Sequence, residues 1–295
     1  MTNEEVFQRA HEEFTLRGLS PNTADEYLRA FQLFLRYYDN HPIETMGETE
    51  IRKFLLHQIN LGKATGSVNI YNSALRFIFG AVLQRNLNYR MIPRRRSYRK
   101  LPEIMSKTEI VRFFSVIDNL RDKVIFETVY GAGLRVSEVI HLRVQDIDSE
   151  QMRIFVHQGK GCKDRYTLLS QKNLNLLREY WKQYQPKHPE GYLFYSRGRK
   201  DRVMTSRAIQ DAFNKYLKQA KLSDTFTVHT LRHCFATHLL ETGVDICRIK
   251  ELLGHTFIQT TAFYLHLQNI NQTIVSPLDT LQKKRGHKPK VRADA

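Results

Sequence analysis

The residues best suited to chemistry lie between Thr227 and Tyr264, and their side chains are of the kinds that handle phosphate. His229, Arg232 and His255 can bind or protonate a phosphate oxygen, and Tyr264 has a hydroxyl that could attack phosphorus. Transfer of a phosphodiester needs such a nucleophile, fixed positive charge and a proton donor. The segment therefore predicts phosphoryl transfer.

Two upstream segments carry charges that could join this site. GAGLRVSE at residues 131–138 contains Arg135 and Glu138, and GKGCKDR at residues 159–165 contains Lys160 between two glycines. The glycines predict a hairpin tip that can reach into a groove, where nearby cations could lower the pKa of the lysine and make it a proton donor. The alternative is an ordinary exposed turn lysine. A Walker phosphate loop is excluded, because its spacing is absent and no Ser or Thr follows the lysine.

None of these residues identifies a function alone. His229 and Arg232 are three apart at the predicted start of a helix, so they share a face near a helix end that attracts anions. By itself, however, His229 could be a structural cap or a core histidine. Tyr264 is one of 14 tyrosines, and a phenol with an ordinary pKa of about 10 needs nearby cations and a base to react. The prediction rests on the segments together.

The sequence does not favour a metal site. His229, His233, Cys234 and His238 fall close together, and two histidines four apart on a helix can bind zinc, but no second ligand pair with zinc-finger spacing is present. No close pair of carboxylates lies near the basic motifs to hold Mg²⁺. Arginines can neutralise phosphate instead, because their planar forks bind its oxygens in pairs. We expect no metal and no cofactor.

The overall charge favours a polyanionic partner. It is +16, from 46 Lys and Arg against 30 Asp and Glu, and release of counterions from phosphates drives such a protein onto nucleic acid. The densest run, RNLNYRMIPRRRSYRK at residues 85–100, has no acid. We interpret it as a linker against a phosphate backbone, with a solvated hinge as the alternative. The residues predicted to bind DNA are Arg94, Arg95, Arg96, Arg99, Lys100, Lys163 and Arg165.

The apolar spacing predicts a mainly α fold with a small antiparallel β-sheet. Four amphipathic helices predict an N-terminal helical domain at residues 1–90, followed by the basic linker at 91–105. A capping box at Ser106–Glu109 opens the catalytic domain, 106–275, and a basic tail occupies 276–295. Three strands are predicted within the catalytic domain, at 144–147, 153–157 and 166–169.

The sequence predicts a cytoplasmic protein. No apolar run is long enough to span a bilayer, and the acidic amphipathic start carries no signal sequence. The three cysteines, Cys162, Cys234 and Cys247, are too scattered for a disulfide framework.

Four motifs resemble those of the tyrosine recombinases, also called the phage integrase family, and most closely their Xer-like members. The family's first arginine box resembles GAGLRVSEVIHL, and its β-hairpin lysine motif resembles GKGCKDRYTLL. Its His-x-x-Arg box resembles HTLRHCFATHLLETG, and the segment that ends in its nucleophile resembles LLGHTFIQTTAFY. The order and intervals also agree, and the resemblance covers nearly the whole chain.

The resemblance implies a role for each matching residue. Tyr264 would attack the scissile phosphate, form a 3′-phosphotyrosyl link and free a 5′ hydroxyl. Arg135 and Arg232 would clamp the non-bridging oxygens, and His255 would add a hydrogen bond to the phosphate.

The resemblance also implies the proton chemistry. Lys160 would be the general acid on the leaving 5′ oxygen, His229 would be the general base toward the tyrosine hydroxyl, and Glu138 would support the site. The phosphotyrosine conserves bond energy, so neither ATP nor a divalent metal is implied.

Partners and fold follow from the same resemblance. It implies a core-binding domain and a catalytic domain that clamp double-stranded DNA with inverted half-sites, and a homotetramer that exchanges strands on two DNA sites through a Holliday junction. A type IB topoisomerase-like enzyme and a catalytically silent, sequence-specific DNA-binding regulator are the alternatives. Accessory proteins, the target sequence and the biological task, whether integration, excision or resolution of DNA, stay open.

Overall fold

The computed structural model describes residues 1–96, 102–159, 163–196 and 199–267. It divides into two compact units, Met1–Lys100 and Leu101–Ala295. Lys160, Arg99, Lys100 and the tail at 276–295, all named in the predictions, lie outside the described residues. Among the described helices, none is long and apolar enough to cross a membrane. The finer division into 1–90, 91–105, 106–275 and 276–295 stays a prediction.

The N-terminal unit is helical, as predicted. Its helices are α1 (Asn3–Leu16), α2 (Pro21–Tyr37), α3 (Glu48–Asn60) and α4 (Thr65–Phe77), which continues into a π-helical turn, Ile78–Val82. The Ser20 hydroxyl caps α2 by accepting the backbone N–H of Thr23, and Pro21 occupies the first position, where a missing N–H costs nothing. The apolar faces meet in a core that includes Phe31, Phe34, Phe54, Leu75 and Phe79.

The C-terminal unit is built around α6, which packs against α8 and α10. The helices in its described parts are α5 (Lys107–Ser115), α6 (Leu120–Ala132), α7 (Val136–Ile140), α8 (Gln171–Tyr184), α9 (Ser206–Gln219), α10 (Val228–Glu241), α11 (Ile246–Leu253) and α12 (Ile258–Ala262). A 3₁₀ segment, Phe263–Leu267, follows α12. The predicted capping box is confirmed, because Ser106 and Glu109 each accept the other's backbone N–H through their side chains.

Two small antiparallel sheets complete this unit. The first has the order β1 (Ile147–Asp148), β2 (Arg153–Gly159) and β3 (Lys163–Leu168), and the second pairs β4 (Tyr195–Ser196) with β5 (Arg199–Val203). Phe155 pairs with Tyr166 across β2 and β3, so the predicted hairpin is confirmed. The β4–β5 pair was not predicted.

The strand predicted at 144–147 is wrong over most of its length. Val144–Asp146 forms a 3₁₀ turn, and only Ile147 enters β1. The Asp146 carboxylate accepts the backbone N–H of Arg143 at 2.8 Å and lies 2.7 Å from Nε2 of His157. This local side-chain cap competes with strand pairing and accounts for the turn.

Two glycines in the left-handed conformation end the helices that border the site. Gly133 (φ 63°) follows α6, and a Cβ there would lie 2.4 Å from Cδ1 of Phe235. Gly254 (φ 65°) follows α11, and a Cβ there would lie 2.8 Å from Cδ of Arg165. Both positions need glycine for conformation and for space.

We expect Gly133→Ala to destabilise the protein by ~2–4 kcal/mol, since alanine would adopt a left-handed conformation and displace a buried ring. Urea unfolding at pH 7 measures the change. Gly131→Ala is the matched control: Gly131 is helical, and its Cβ would meet no atom within 4 Å. The control should be neutral or gain up to about 1 kcal/mol. Equal losses in the two variants would contradict this account of Gly133.

Candidate active site

The centre of the site is the carboxylate of Glu138, in the first turn of α7. Arg165 on β3 donates to it through both terminal nitrogens, at 2.9 and 2.8 Å. Arg135 donates through its guanidinium and, at 2.7 Å, through its backbone N–H. Nη1 of Arg232 on α10 lies 3.6 Å from the same carboxylate. The Glu138 side chain thus contacts three arginines that come from three separate segments.

The charges in this cluster do not balance. The side chains of Glu138, Arg165 and Arg232 are 5%, 7% and 1% exposed, and that of Arg135 is 19% exposed. Burial by itself would raise the pKa of Glu138, but the hydrogen bonds and charge of Arg165, with the other donors, lower it to about 2. The carboxylate is therefore ionised, and three guanidinium groups against one carboxylate leave two surplus positive charges.

Arg232 joins the cluster to two helix ends. Its guanidinium donates to the carbonyl oxygen of Gly133 and, at 2.6 Å, to that of Leu253. Burial, followed by the charge of Arg135, lowers the pKa of Arg232 to about 9. Because that value is above neutral pH, the group keeps its charge.

His255 is neutral, and its tautomer follows from its partners. Nε2 lies 3.3 Å from Nη2 of Arg232, and Nδ1 lies 2.9 Å from the hydroxyl of Thr261. A guanidinium can only donate, so Nε2 accepts and the ring proton is on Nδ1. Burial and then the charge of Arg232 lower the pKa of His255 to about 3.

Tyr264 is buried beside these groups, with 3% of its surface exposed. Its ring lies nearly parallel to that of His255, with centroids 6.3 Å apart. Burial raises the pKa of Tyr264, while the charges of Arg232 and Arg135 act to lower it. The structure thus brings together five predicted residues: Arg135, Glu138, Arg232, His255 and Tyr264.

The hydroxyl of Tyr264 contacts His233, a histidine with no predicted catalytic role. Its oxygen lies 2.9 Å from Nδ1 of His233. The predicted base, His229, is exposed and adjoins His233, with ring centroids 4.7 Å apart. Among the hydrogen bonds of the described residues, none joins His229 to Tyr264. Although part of the His229 side chain is open to solvent, partial desolvation of its ring by the surrounding protein and then the charge of Arg232 lower its pKa. Its role as a base stays a prediction.

Two hairpin residues, Lys163 and Arg165, were predicted to bind DNA. In the structure, Arg165 contacts residues of the site. Besides its two bonds to Glu138, its Nε donates to the carbonyl oxygen of Leu252 at 2.8 Å. These contacts make Arg165 a support for Glu138 in this structure. The side chain of Lys163 lies outside the described residues.

The start of the basic linker is fixed to α4. Asn69 and the backbone of Arg95 exchange two hydrogen bonds of 2.9 Å. The buried amide of Asn72 donates to the carbonyl oxygens of Ile92 and Pro93 at 3.1 and 3.0 Å. Residues 94–96 are exposed. Their arginines are therefore presented from an anchored backbone, which favours the interpretation as a binding segment over that as a free hinge.

The metal-site alternative finds no support in the described residues, where no group of three or more His, Cys, Asp or Glu side chains could hold an ion. Cys234 instead contacts the backbone of Met105. Nδ1 of His238 lies 3.0 Å from the hydroxyl of Tyr130.

Comparisons with known proteins agree with this geometry. The sequence pattern of the phage integrase family matches residues 103–270, and that of the phage integrase N-terminal SAM-like domain matches residues 6–89. Together they cover most of both compact units.

Individual relatives align along most of the chain. The protein y4qK of Sinorhizobium fredii is 40% identical over 88% of this chain and 83% of its own length. Tyrosine recombinase XerA of Pyrococcus horikoshii is 33% identical over 90% of each chain. A solved structure of a lambda integrase tetramer bound to a Holliday junction shares the fold, with a TM-score of 0.71, 18% identity, and 90% and 77% of the two chains covered.

We expect Glu138→Gln to lower the free energy of unfolding at pH 7 by roughly 3–5 kcal/mol, because it leaves three buried guanidinium groups without their carboxylate. The folded pKa of about 2 lies below the ordinary 4.5. The wild-type carboxylate therefore stabilises the fold fully above pH 4.5, and this contribution is lost as the pH falls toward 2.

Urea unfolding between pH 7 and pH 2 tests this expectation, and the difference between wild type and variant should shrink in that acid window. The control is Glu251→Gln, which removes a carboxylate paired with Arg248 on the surface, where both side chains are about two-thirds exposed. It should change stability by less than about 1 kcal/mol. A constant difference at every pH would show that Glu138 acts through shape rather than charge.

Proposed function

Because the chain belongs to the phage integrase family and is a tyrosine-type site-specific recombinase acting on DNA, we propose that Arg135, Arg232, His255 and Tyr264 form its catalytic site. The observation that carries this proposal is the uncompensated charge beside the Tyr264 hydroxyl: three arginines surround one carboxylate. A phosphodiester brings one negative charge, and its transition state brings more. The site is thus short of the anion that the reaction supplies.

In the proposed reaction, the oxygen of Tyr264 attacks the scissile phosphorus as the bond from phosphorus to the 5′ oxygen breaks. A 3′-phosphotyrosyl link forms, and the leaving 5′ oxygen takes a proton from a general acid, for which Lys160 is the predicted residue. Arg135 and Arg232 neutralise the non-bridging oxygens. Attack by a 5′ hydroxyl on the phosphotyrosine reverses each step and rejoins the strand.

His255 needs a change of partner before it can donate to the phosphate. Its Nε2 accepts from Arg232 in this structure, so a hydrogen bond to a phosphate oxygen requires a proton on that nitrogen. An incoming phosphate favours this change, because its negative charge offsets the cations that hold the pKa of His255 low.

We propose that the chain acts as a homotetramer on two DNA sites, each with inverted half-sites, and exchanges strands through a Holliday junction. Support comes from the lambda integrase tetramer, which is bound to such a junction and shares this fold. The N-terminal unit, matched by the SAM-like domain of phage integrases, would be the second half of a clamp around the duplex. No feature of the described residues favours a topoisomerase-like enzyme or a catalytically silent regulator over a recombinase.

We expect Tyr264→Phe to abolish strand cleavage and leave DNA affinity within about twofold, because the phenol oxygen supplies chemistry rather than binding. Nicked duplexes drawn from the DNA that flanks the gene are the substrate, without added metal. Cleavage is read as a denaturant-stable protein–DNA adduct, which mass spectrometry places on a peptide. The adduct should fall on Tyr264.

A matched control is available in the same unit. Tyr130 is half-buried, and its hydroxyl also contacts a histidine, at 3.0 Å from Nδ1 of His238. Tyr130→Phe should still form the adduct. An adduct on another residue, or cleavage by the Tyr264→Phe variant, would show that the nucleophile has been misassigned.

We expect simultaneous replacement of Arg94, Arg95 and Arg96 by Gln to weaken binding to every duplex alike. Each lost phosphate contact should reduce the slope of log affinity against log salt by about 1. Fluorescence anisotropy over a salt series, with a specific and an unrelated duplex, measures both effects. The control, Lys182→Gln with Lys187→Gln, removes two exposed charges from the C-terminal unit. If the control flattens the slope equally for each charge removed, the linker makes no special contact.

A further inference from the structure

The hydroxyl of Tyr264 forms a hydrogen bond with one ring nitrogen of His233. Its oxygen lies 2.9 Å from Nδ1 of His233, and the rings are 5.6 Å apart between centroids. His233 follows Arg232 directly on α10, and the 3₁₀ segment that carries Tyr264 packs on the same helix. The phosphate-binding guanidinium and the hydroxyl's partner are thus neighbours on one rigid element.

Burial and neighbouring charges, including that of Arg232, set the protonation states of His233 and Tyr264. Burial, then His229, then the charge of Arg232 lower the pKa of His233 to about 4, so the imidazole is neutral at pH 7. Burial raises the pKa of Tyr264, so the phenol keeps its proton. A phenol hydroxyl that meets a neutral imidazole donates to the free lone pair. The ring proton of His233 is therefore on Nε2, and Nδ1 faces the hydroxyl.

We propose that His233 is the group that takes the proton from Tyr264 during strand cleavage. This inference rests on the proposed function, since it needs Tyr264 to be the nucleophile. The O–H bond of the phenol breaks and its proton goes to Nδ1, while the new bond from oxygen to phosphorus forms. The bond from phosphorus to the 5′ oxygen breaks, and that oxygen is protonated by the separate acid. In rejoining, His233 returns the proton to the phenolate.

Bound DNA makes His233 a better base than it is in the free protein. The phosphate would lie against Arg232, whose charge is among the causes of the low pKa of His233. An anion at that place offsets the guanidinium, so the imidazole gains basicity when substrate is bound. The proton also becomes easier to remove as the phenol oxygen bonds to phosphorus, because negative charge passes from that oxygen to the phosphoryl group.

His229 is less well placed for this step. Its ring is exposed and meets the ring of His233 edge to face, at 84° and 4.7 Å between centroids. Among the hydrogen bonds of the described residues, the hydroxyl of Tyr264 is joined to His233 and not to His229. Its exposure and its place in the first turn of α10 suit contact with DNA instead.

The test uses His233→Asn and His233→Phe in the full-length protein. The oxygen of Asn can lie near the position of Nδ1 and accept the phenol's hydrogen bond, but it cannot take up a proton, whereas Phe removes the acceptor. The probe is the nicked duplex that wild type cleaves, and the readout is the single-turnover rate of adduct formation from pH 5.5 to 9. We expect both variants to bind DNA as wild type does and to cleave about 100-fold more slowly or worse. Because the bound phosphate should bring the pKa of His233 up into this window, we expect the wild-type rate to rise with pH, and the rise should disappear in both variants.

Controls separate this role from positioning. His238→Asn alters the corresponding Tyr130–His238 pair and should leave the rate and its pH profile unchanged. If His233→Asn cleaves at the wild-type rate with the wild-type profile, His233 only positions the phenol and the proposal is wrong. Faster cleavage by either variant would show that the contact restrains Tyr264, which also overturns it. Loss of the pH dependence in His229→Asn but not in His233→Asn would assign the base to His229.

A second substrate distinguishes base from acid. A duplex with sulfur in place of the bridging 5′ oxygen at the scissile phosphate has a leaving group that needs no proton. A variant that lacks the general acid should regain cleavage on it, whereas His233→Asn should stay slow. Recovery of His233→Asn on this duplex would place His233 on the leaving-group side and refute the proposal. Failure of wild type to cleave any duplex would instead count against the proposed function.

Discussion

The architecture of the site depends on one buried carboxylate that faces three guanidinium groups. Glu138 holds Arg165, Arg135 and Arg232 within hydrogen-bond or ion-pair distance, and these side chains come from a strand, the start of a short helix and a long helix. Because an arginine cannot lose its charge under ordinary conditions, each must find a partner when it is buried. The carboxylate therefore fixes where these elements meet, and Arg232 extends the network to the ends of α6 and α11.

The cluster keeps more positive charge than it can neutralise, and the effect spreads to its neighbours. Burial and the guanidinium charges together lower the pKa values of His255 and His233, and partial desolvation and the same charges lower that of His229. Neutral histidines can accept protons and hydrogen bonds, whereas imidazolium groups could only add to the repulsion. Such a charge imbalance costs stability in the free protein, and the proposed phosphate-binding site would bear that cost for function.

Features that depend on residues close together in the chain could be predicted from the sequence, whereas contacts between distant residues could not. The capping box at Ser106–Glu109 depends on residues three apart, and the mainly helical fold depends on apolar spacing. Arg165 was expected on DNA, because nothing nearby in the chain reveals that Glu138, on another element, takes both its terminal nitrogens. His233 was considered only as a metal ligand, since its contact with Tyr264 joins residues 31 apart. Local order follows from short-range rules, whereas partner choice depends on tertiary packing.

The reaction's reversibility places a further demand on this arrangement. Cleavage and rejoining pass through the same transition state, so the group that removes the phenol's proton must return it, and it must not be lost to solvent between the two steps. The proposed base, His233, is half-buried and contacts the buried Tyr264, so it would meet this demand better than an exposed histidine. Its basicity would also rise only while phosphate offsets the charge of the arginines. The surplus charge would then bind the phosphate and also couple proton removal to the arrival of DNA, so that the free enzyme keeps its nucleophile protonated.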